Sequence, residues 1–202
     1  MQAHSLKSLA TYLILIAIAV GTLANPAAAQ SDKTSFDMVV SAAAATCLPH
    51  ATAHVTIDTV GVNQRVLVQA KGLAPNTVFT VFVLQVPTTP FGMAWYQGDL
   101  RTGAGGTGTH QFFGIFSSET HILAPGSVAA PQTDPGIDAV TNPATAPVHM
   151  YHLGMWFSDP ADAANAGCPA TVTPFDGDHN AGIQVLNTSN FPALQGPLLQ
   201  VQ

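Results

Sequence analysis

Apolar and polar residues alternate with a period of two through much of the chain, and this pattern restricts the fold more than any other feature. In 54–59 and in 65–71, most apolar side chains fall on one face of an extended segment and the polar ones on the other. The run 78–86 is apolar on both faces, as in a strand covered on both sides. Beyond residue 29 no ten-residue helical pattern occurs. An all-β fold of roughly seven to nine antiparallel strands, a sandwich or a barrel, is therefore predicted.

The connections between these strands are marked by glycine and proline. The aromatic-rich segments 94–101 and 107–116 are joined by the glycine-rich stretch 102–106, which predicts a hairpin. One short helix is predicted at about 159–166, because an aspartate cap precedes proline at the first helical position. The stretch 124–147 contains five prolines and is predicted to be a long irregular loop.

Residues 72–83 read GLAPNTVFTVFV. This segment resembles the proline turn and following core strand of fibronectin type III and related immunoglobulin-like modules. The resemblance implies an immunoglobulin-like β-sandwich. The turn formers at 72–76 and the long β-branched and aromatic run after them predict that Leu73 and Pro75 shape the turn. Phe79, Val81 and Val83 are then expected to face between the sheets. Phe79 stands where the family carries a tyrosine, so the phenolic hydrogen bond of that corner is missing. No binding residues of the family transfer to this chain.

The first 29 residues have the three parts of a cleavable secretory signal. Lys7 lies in a polar start, the apolar run 12–24 follows, and three alanines precede Gln30. The apolar run is too short to span a bilayer, which takes ~20 residues, so cleavage before Gln30 is predicted. The predicted organisation is a signal peptide at 1–29, a small-residue leader at 30–46 with one short strand at 36–40, and a single β-sandwich domain at 47–202. We therefore expect a secreted, extracellular or periplasmic protein.

The two cysteines of the chain, Cys47 and Cys168, are predicted to form a disulfide bond. An isolated pair in an exported chain is most simply explained in this way, and two free thiols are the alternative. The closed loop of about 120 residues would stabilise the fold by at most about 4–5 kcal/mol in the chain-entropy model.

Positive charge is scarce in this chain. Beyond the predicted signal, four lysines and arginines are set against 11 carboxylates. Nucleic acid and anionic membranes both require a basic surface, so neither is an expected partner. The expected partner is an extracellular protein or a carbohydrate.

Two segments contain residue types that bind metals. Asp176, Asp178 and Asn180 place oxygen donors at alternate positions, as calcium loops do. The helix-loop-helix calcium motif also requires glycine at its sixth position and glutamate at its twelfth, where this chain has Ala181 and Asn187. A looser calcium site and an ordinary turn both remain open.

His149 and His152, with the nearby Met150 and Met155, are the candidate copper ligands. The segment 148–157 is predicted to be a strand, which sends His149 and His152 to opposite faces. His149 and Met155 share a face but lie near 20 Å apart at ~3.3 Å per residue. We therefore expect no tight copper site here unless His110 or His121 approaches from another strand.

Sequence motifs for catalysis are absent, and we expect neither a catalytic residue nor a cofactor. A hydrolase site built from scattered Asp and His, for example Asp99 with Asp138, remains an alternative. Three aromatic residues offer a possible sugar-stacking platform, but their positions in strands favour the core; they are Trp95, Tyr96 and Trp156. Asn187 begins a glycosylation sequon.

The function predicted from the sequence is that of a secreted, non-catalytic binding or structural module. The loop 124–147 and the hairpin around 98–106 are its predicted contact surfaces. The alternatives are a secreted hydrolase and an exported calcium- or copper-binding protein.

Overall fold

A computed structural model describes residues 33–118, 120–123, 147–176 and 179–201, with backbone alone at 121–123, 147, 174–176 and 179. The predicted signal segment, Asp138 and Asp178 lie outside these residues, as does the predicted loop except for Pro147. No helix in the described part is long and apolar enough to cross a membrane.

The described residues form twelve β-strands, one α-helix and one 3₁₀ helix. The strands are β1 (Lys33–Val40), β2 (Thr52–Val60), β3 (Asn63–Lys71), β4 (Val78–Leu84), β5 (Ala94–Arg101), β6 (Gly108–Gly114), β7 (His121–Leu123), β8 (Pro147–His149), β9 (His152–Phe157), β10 (Thr173–Asp176), β11 (His179–Ala181) and β12 (Gln184–Asn187). The helix α1 is Pro160–Asn165, and the 3₁₀ helix is Pro197–Gln200. The prediction of an antiparallel all-β fold with one short α-helix is confirmed.

Eight strands form one hydrogen-bonded sheet in the order β5-β4-β9-β12-β1-β2-β3-β6. Strand β1 connects the two halves of this sheet, because its first part pairs with β2 and its last two residues pair with β12. The sheet curls until its edge strands β5 and β6 approach each other. A Cβ at Gly108 would lie 2.5 Å from the side chain of Leu100 in β5, so the sheet is nearly closed into a barrel.

The predicted hairpin between β5 and β6 is wrong. These strands are consecutive, yet they form the two opposite edges of the sheet: β5 pairs with β4, and β6 pairs with β3. The connection between them is docked on the turn before β4 instead. The hydroxyl of Thr102 donates to the carbonyl oxygen of Ala74 (2.6 Å) and accepts from the amide of Thr77 (2.9 Å). The glycine-rich stretch therefore crosses from one edge to the other rather than reversing a paired ladder.

Strand β4 lies in the interior of the sheet, as predicted for 72–86. It pairs with β5 on one side and β9 on the other. Phe79, Val81 and Val83 are at most 1% exposed and belong to the main core. Gly72 begins the turn with φ of 71°, where a Cβ would lie 2.4 Å from the carbonyl oxygen of His50. This position therefore requires glycine.

The opposite face of β4 and β9 carries a second, smaller apolar cluster. Its buried members are Phe82, Leu84, Trp156 and Ala181, and Phe91 and Ala94 pack against it. The main core includes Leu153, Met155 and Phe157 from the other face of β9. Both faces of these two strands are thus covered, which explains why 78–86 is apolar throughout.

The predicted disulfide is present. Cys47 and Cys168 are bonded, with their Cα atoms 5.2 Å apart. The bond joins the turn that follows β1 to Cys168, three residues beyond the end of α1. The predicted start of the helix is also confirmed, since the carboxylate of Asp159 accepts from the amide of Ala161 (2.7 Å).

The two ends of the described chain lie side by side. The hydroxyl of Thr34 in β1 donates to the carbonyl oxygen of Gln200 (3.1 Å). The segment 188–201 also contacts other parts of the sheet, because the amide of Leu198 donates to the carbonyl oxygen of Tyr151 (3.2 Å). Strand β1 is longer than the short strand predicted at 36–40, and it lies in the segment predicted as a leader.

Candidate functional site

A cleft of about 470 Å³ opens on the outer side of β9 and β12, a size that suits a small-molecule ligand. Three segments form its walls. They are the turn 41–43 after β1, the connection between β4 and β5 at Thr88, Thr89 and Phe91, and the segment Pro169, Thr171 and Thr173 after the disulfide. The floor is formed by Trp156 of β9 and by Ile183, Gln184 and Asn187 in and beside β12.

The walls are held by covalent and hydrogen bonds. The hydroxyl of Ser41 donates to the carbonyl oxygen of Gln184 (2.5 Å), which fixes the first wall to the floor. The β4–β5 connection is closed by the amide of Val86, which donates to the carbonyl oxygen of Phe91 (3.0 Å). The Cys47–Cys168 bond lies beside the cleft and ties the first wall to the third. The cleft is therefore a preformed feature of the fold.

The two amide side chains on the floor are buried and oriented. Gln184 is 7% exposed and Asn187 is 1% exposed. The side-chain NH₂ of Gln184 donates to the carbonyl oxygen of Pro87 (3.1 Å), and the NH₂ of Asn187 donates to Oε1 of Gln184 (2.9 Å). The Oδ1 of Asn187 accepts from the amide of Ser189 (3.0 Å). Each amide is held by neighbours before any ligand arrives.

Aromatic rings support the cleft from below. The rings of Trp156 and Phe91 pack edge to face with centroids 5.2 Å apart. Trp156 also packs edge to face on Phe82 (5.4 Å), and Phe82 packs on Tyr96 (6.0 Å). Gly154 leaves room for the indole, because a Cβ there would lie 2.5 Å from the ring of Trp156. Edge-to-face packing fixes ring orientation, so the apolar part of the cleft is rigid.

The polar groups among the described lining residues are uncharged, and apolar side chains line the rest of the cleft. Hydroxyl and amide groups come from Ser41, Thr88, Thr89, Thr171, Thr173, Gln184 and Asn187. None of the lining residues in the described part of the chain is ionisable. Such a site offers hydrogen bonds in both directions without favouring either sign of charge.

The candidate copper ligands are buried, and their segment is not one strand. Met150 and Tyr151 separate β8 from β9, which corrects the predicted continuous strand at 148–157. The Nε2 of His149 is 2.5 Å from the carbonyl oxygen of Ser118, and its ring stacks on Tyr151 with centroids 5.5 Å apart. His149 is therefore engaged by the segment before β7 and by the ring that interrupts the strand.

His152 is enclosed on the outer side of β9. Its Nε2 is 2.9 Å from the carbonyl oxygen of Ala193, and its Nδ1 is 2.8 Å from the hydroxyl of Thr188. A carbonyl oxygen only accepts, so Nε2 carries the proton and Nδ1 accepts from Thr188 in the neutral ring. Burial lowers the pKa of His152 to about 4. Both nitrogens are committed to protein partners.

The predicted calcium residues lie on a short hairpin. Asp176 ends β10 and pairs with His179, while Asn180 lies in β11 and is exposed. Asp178 and the side chain of Asp176 are outside the described residues, so the calcium site stays a prediction. Across the described ranges, no three His, Cys, Asp or Glu side chains form a group that would hold a metal.

The three aromatic residues considered as a sugar platform lie in different surroundings. Trp156 is fully buried, as expected for a core residue, whereas Trp95 is 60% exposed and Tyr96 is 49% exposed. The expectation that all three are core residues is therefore wrong for β5. The reason is that β5 is an edge strand, where one flank lacks a hydrogen-bonded neighbour to cover the side chains. Trp95 and Trp156 do not share a surface.

Two further candidates have clear positions. Asp99 lies exposed on β5, and its suggested partner Asp138 is outside the described residues. Asn187, the first residue of the sequon, is buried with its amide nitrogen bonded to Gln184, so the folded domain does not offer that nitrogen to a modifying enzyme.

The cleft residues themselves were not singled out by sequence patterns. They come from five separated stretches of chain, and hydroxyl residues in connections are common. One available signal was the pair Gln184 and Asn187, polar residues at the two ends of β12, all four residues of which are buried. A buried amide needs partners, and such a pair marks a place where polar groups meet.

No protein-family model, curated protein or solved structure matches this chain. The chemistry of the cleft is therefore argued from its own residues.

Proposed function

We propose that this chain is an exported, non-catalytic binding module and that the cleft beside β12 is its ligand site. The observation that carries the proposal is a preformed cleft of about 470 Å³ without an ionisable group among its described lining residues. General acid–base and nucleophilic catalysis both need such groups at the reacting atoms. A preformed cleft whose described lining combines apolar side chains with uncharged hydroxyl and amide groups is suited to holding a ligand.

Export is supported by the disulfide bond and by the signal-like pattern of 1–29. The scarcity of positive charge favours an extracellular protein or carbohydrate partner over nucleic acid or an anionic membrane. For the fold, the turn and core strand at 72–86 favour an immunoglobulin-like architecture, with β1 joining a group of four strands to a group of three in a sheet that has curled towards a barrel.

Thermal unfolding in the presence of uncharged small molecules tests the proposal. A ligand at 100 times its Kd stabilises the folded state by about 2.7 kcal/mol. For a domain of this size that corresponds to a melting temperature higher by about 5–10 °C. We expect such a shift with the wild type and its loss in Thr171→Arg, which places a long charged side chain in the cleft from an exposed wall position.

The matched control is Thr109→Arg, because Thr109 is also an exposed threonine but lies on β6 in the other half of the sheet. It should keep the ligand-induced shift. The bound compound should be recovered unchanged by mass spectrometry. Conversion of the compound would favour the hydrolase alternative, and a shift that survives Thr171→Arg would place binding elsewhere.

A further inference from the structure

We infer that the ligand of this cleft is a neutral carbohydrate of one or two sugar rings; this inference rests on the proposed binding function and names its ligand class. Four observations support it: the absence of charge in the described lining, the mixture of hydroxyl and amide groups, the aromatic floor, and the pairing of the floor strand on both sides.

The charge of the lining indicates a neutral ligand. A carboxylate, phosphate or ammonium group loses hydration when it enters a cleft, and protein sites replace that hydration with opposite charges or with several donors of one kind. The described lining provides hydroxyls and amides, which donate and accept alike. Sugar hydroxyls have the same dual character, so each can be matched.

The two floor amides supply directional contacts. Bonds between described residues use one N–H of Gln184, to Pro87, and one N–H of Asn187, to Gln184. Each NH₂ group has a second N–H, and both side chains are more than nine-tenths buried in the floor. Both residues line the cleft, and their protein partners fix the plane of each amide group, so a ligand hydroxyl above the floor meets amides of set orientation.

The apolar part of the cleft suits the C–H face of a sugar ring. Phe91 is half-buried at the wall and packs edge to face on Trp156 in the floor. A pyranose presents C–H groups on one face and hydroxyls at its rim, which matches a site with an aromatic side and a polar rim. The volume of about 470 Å³ is near the low end for ligand sites, ~300–1,000 Å³, and so favours a short saccharide.

An extended peptide is a poorer match. Peptides that bind to sheets add a strand to an open edge. The floor strand β12 pairs with β9 on one side and with β1 on the other. It therefore offers no open edge along the floor of the cleft.

The two tryptophans allow a direct optical test. Trp95 is exposed on β5 away from the cleft, and Trp156 lies in its floor. In the full chain carrying Trp95→Phe, tryptophan emission reports on Trp156 alone. Glucose, galactose, mannose, maltose, cellobiose and N-acetylglucosamine are titrated separately, and at least one is expected to change the emission in a saturable manner.

Two variants in this background locate the response. Adding Thr171→Arg should weaken the apparent affinity at least tenfold, whereas adding Thr109→Arg should leave it unchanged. Circular dichroism melting of both variants shows whether they are folded. If Thr171→Arg fails to fold, Ala43→Gln, at an exposed position of the opposite wall, replaces it.

A second set of probes separates the ligand class from the site. Acetylated and amidated tripeptides of glycine, serine and asparagine are neutral and carry hydrogen-bonding groups without sugar rings. A saturable response to these peptides but not to the sugars would overturn the carbohydrate inference and leave the binding cleft standing. No response to either set, or a response that Thr171→Arg leaves unchanged, would overturn both.

Discussion

His152 is a neutral residue held between β9 and the C-terminal segment, and its protonation opposes folding. Burial lowers its pKa from 6.5 to about 4. Between these two values the unfolded chain binds a proton that the folded chain does not, so stability falls as the pH is lowered from 6.5 towards 4. Protonation of His152 affects the contacts of its two ring nitrogens, which are with the Thr188 hydroxyl and the Ala193 carbonyl oxygen.

We predict that this residue contributes a loss of about 3 kcal/mol in the free energy of unfolding between pH 7 and pH 4, at 1.36 kcal/mol per pKa unit. His152→Gln retains a donor for the Ala193 carbonyl and does not titrate. Urea unfolding of both proteins at several pH values is the measurement. The difference in the free energy of unfolding between the wild type and His152→Gln should narrow steadily as the pH falls. If the two free energies change in parallel with pH, the lowered pKa of His152 is contradicted.

The burial of single side chains was predicted correctly from the sequence at some positions and wrongly at others. Phe79 was placed in the core because it follows a turn and alternates with Val81 and Val83, and it is fully buried. Trp95 and Tyr96 follow a similar pattern but are exposed. Alternation shows that two side chains point to opposite faces. It does not show whether a neighbouring strand exists to cover them.

At the scale of elements, the disulfide connects two segments that carry little regular structure. The turn after β1 and the residues after α1 form two walls of the cleft, and the Cys47–Cys168 bond is the covalent link between them. It closes a loop between residues 121 apart in sequence. For a loop of this length the chain-entropy model gives about 4–5 kcal/mol as an upper value.

We predict that the Cys47→Ser, Cys168→Ser double variant unfolds at a lower temperature, by up to about 8–20 °C, at 2–4 °C for each kcal/mol lost in a domain of this size. Thermal unfolding followed by circular dichroism is the measurement, with and without reductant. The wild type should respond to reductant and the variant should not. A melting temperature within about 2 °C of the wild type would show that the hydrogen bonds alone hold the two walls.

The elements that the sequence predicted well are those defined by local chemistry. The cap at Asp159, the turn before β4 and the cysteine pair each depend on a few neighbouring residues or on a simple count. The pairing of β5 and β6 was misjudged because it depends on distant strands. β5 pairs with β4, and β6 pairs with β3, so the two strands do not pair with each other. The glycine-rich connection between them contacts the turn at 74–77 instead.

For the whole molecule, the site was less predictable than the fold. The cleft gathers the end of β1, the β4–β5 connection, the segment after α1 and two strands of the sheet. No local spacing brings such stretches together, and the sequence signal that marks the cleft is the pair of amides at the two ends of β12. The candidate metal ligands could be picked out from the sequence because they are close together along the chain. Closeness along the chain does not mean that the side chains meet in space.

The hydrogen bond between Thr34 and Gln200 leads to a prediction for the complete fold. Since these positions are neighbours, a circular permutant that joins residues 201 and 33 by a short glycine–serine linker should fold when it is opened at the β2–β3 turn. That turn contains Gly61 and the highly exposed Val62. Its melting temperature should lie within about 5 °C of the parent, whereas a permutant opened within β4 should remain unfolded.

Strand β1 also sets a direction for the molecule. It starts beside the Thr34–Gln200 contact and ends at Val40, next to Ser41, where the first wall of the cleft begins. Seven residues of extended chain separate the two points, roughly 23 Å at ~3.3 Å per residue. If this domain were inserted into a loop of another protein through these adjacent ends, both connections to the host would lie at one point on the domain surface. The first wall of the cleft would then lie roughly 23 Å from the host, at ~3.3 Å per residue of β1.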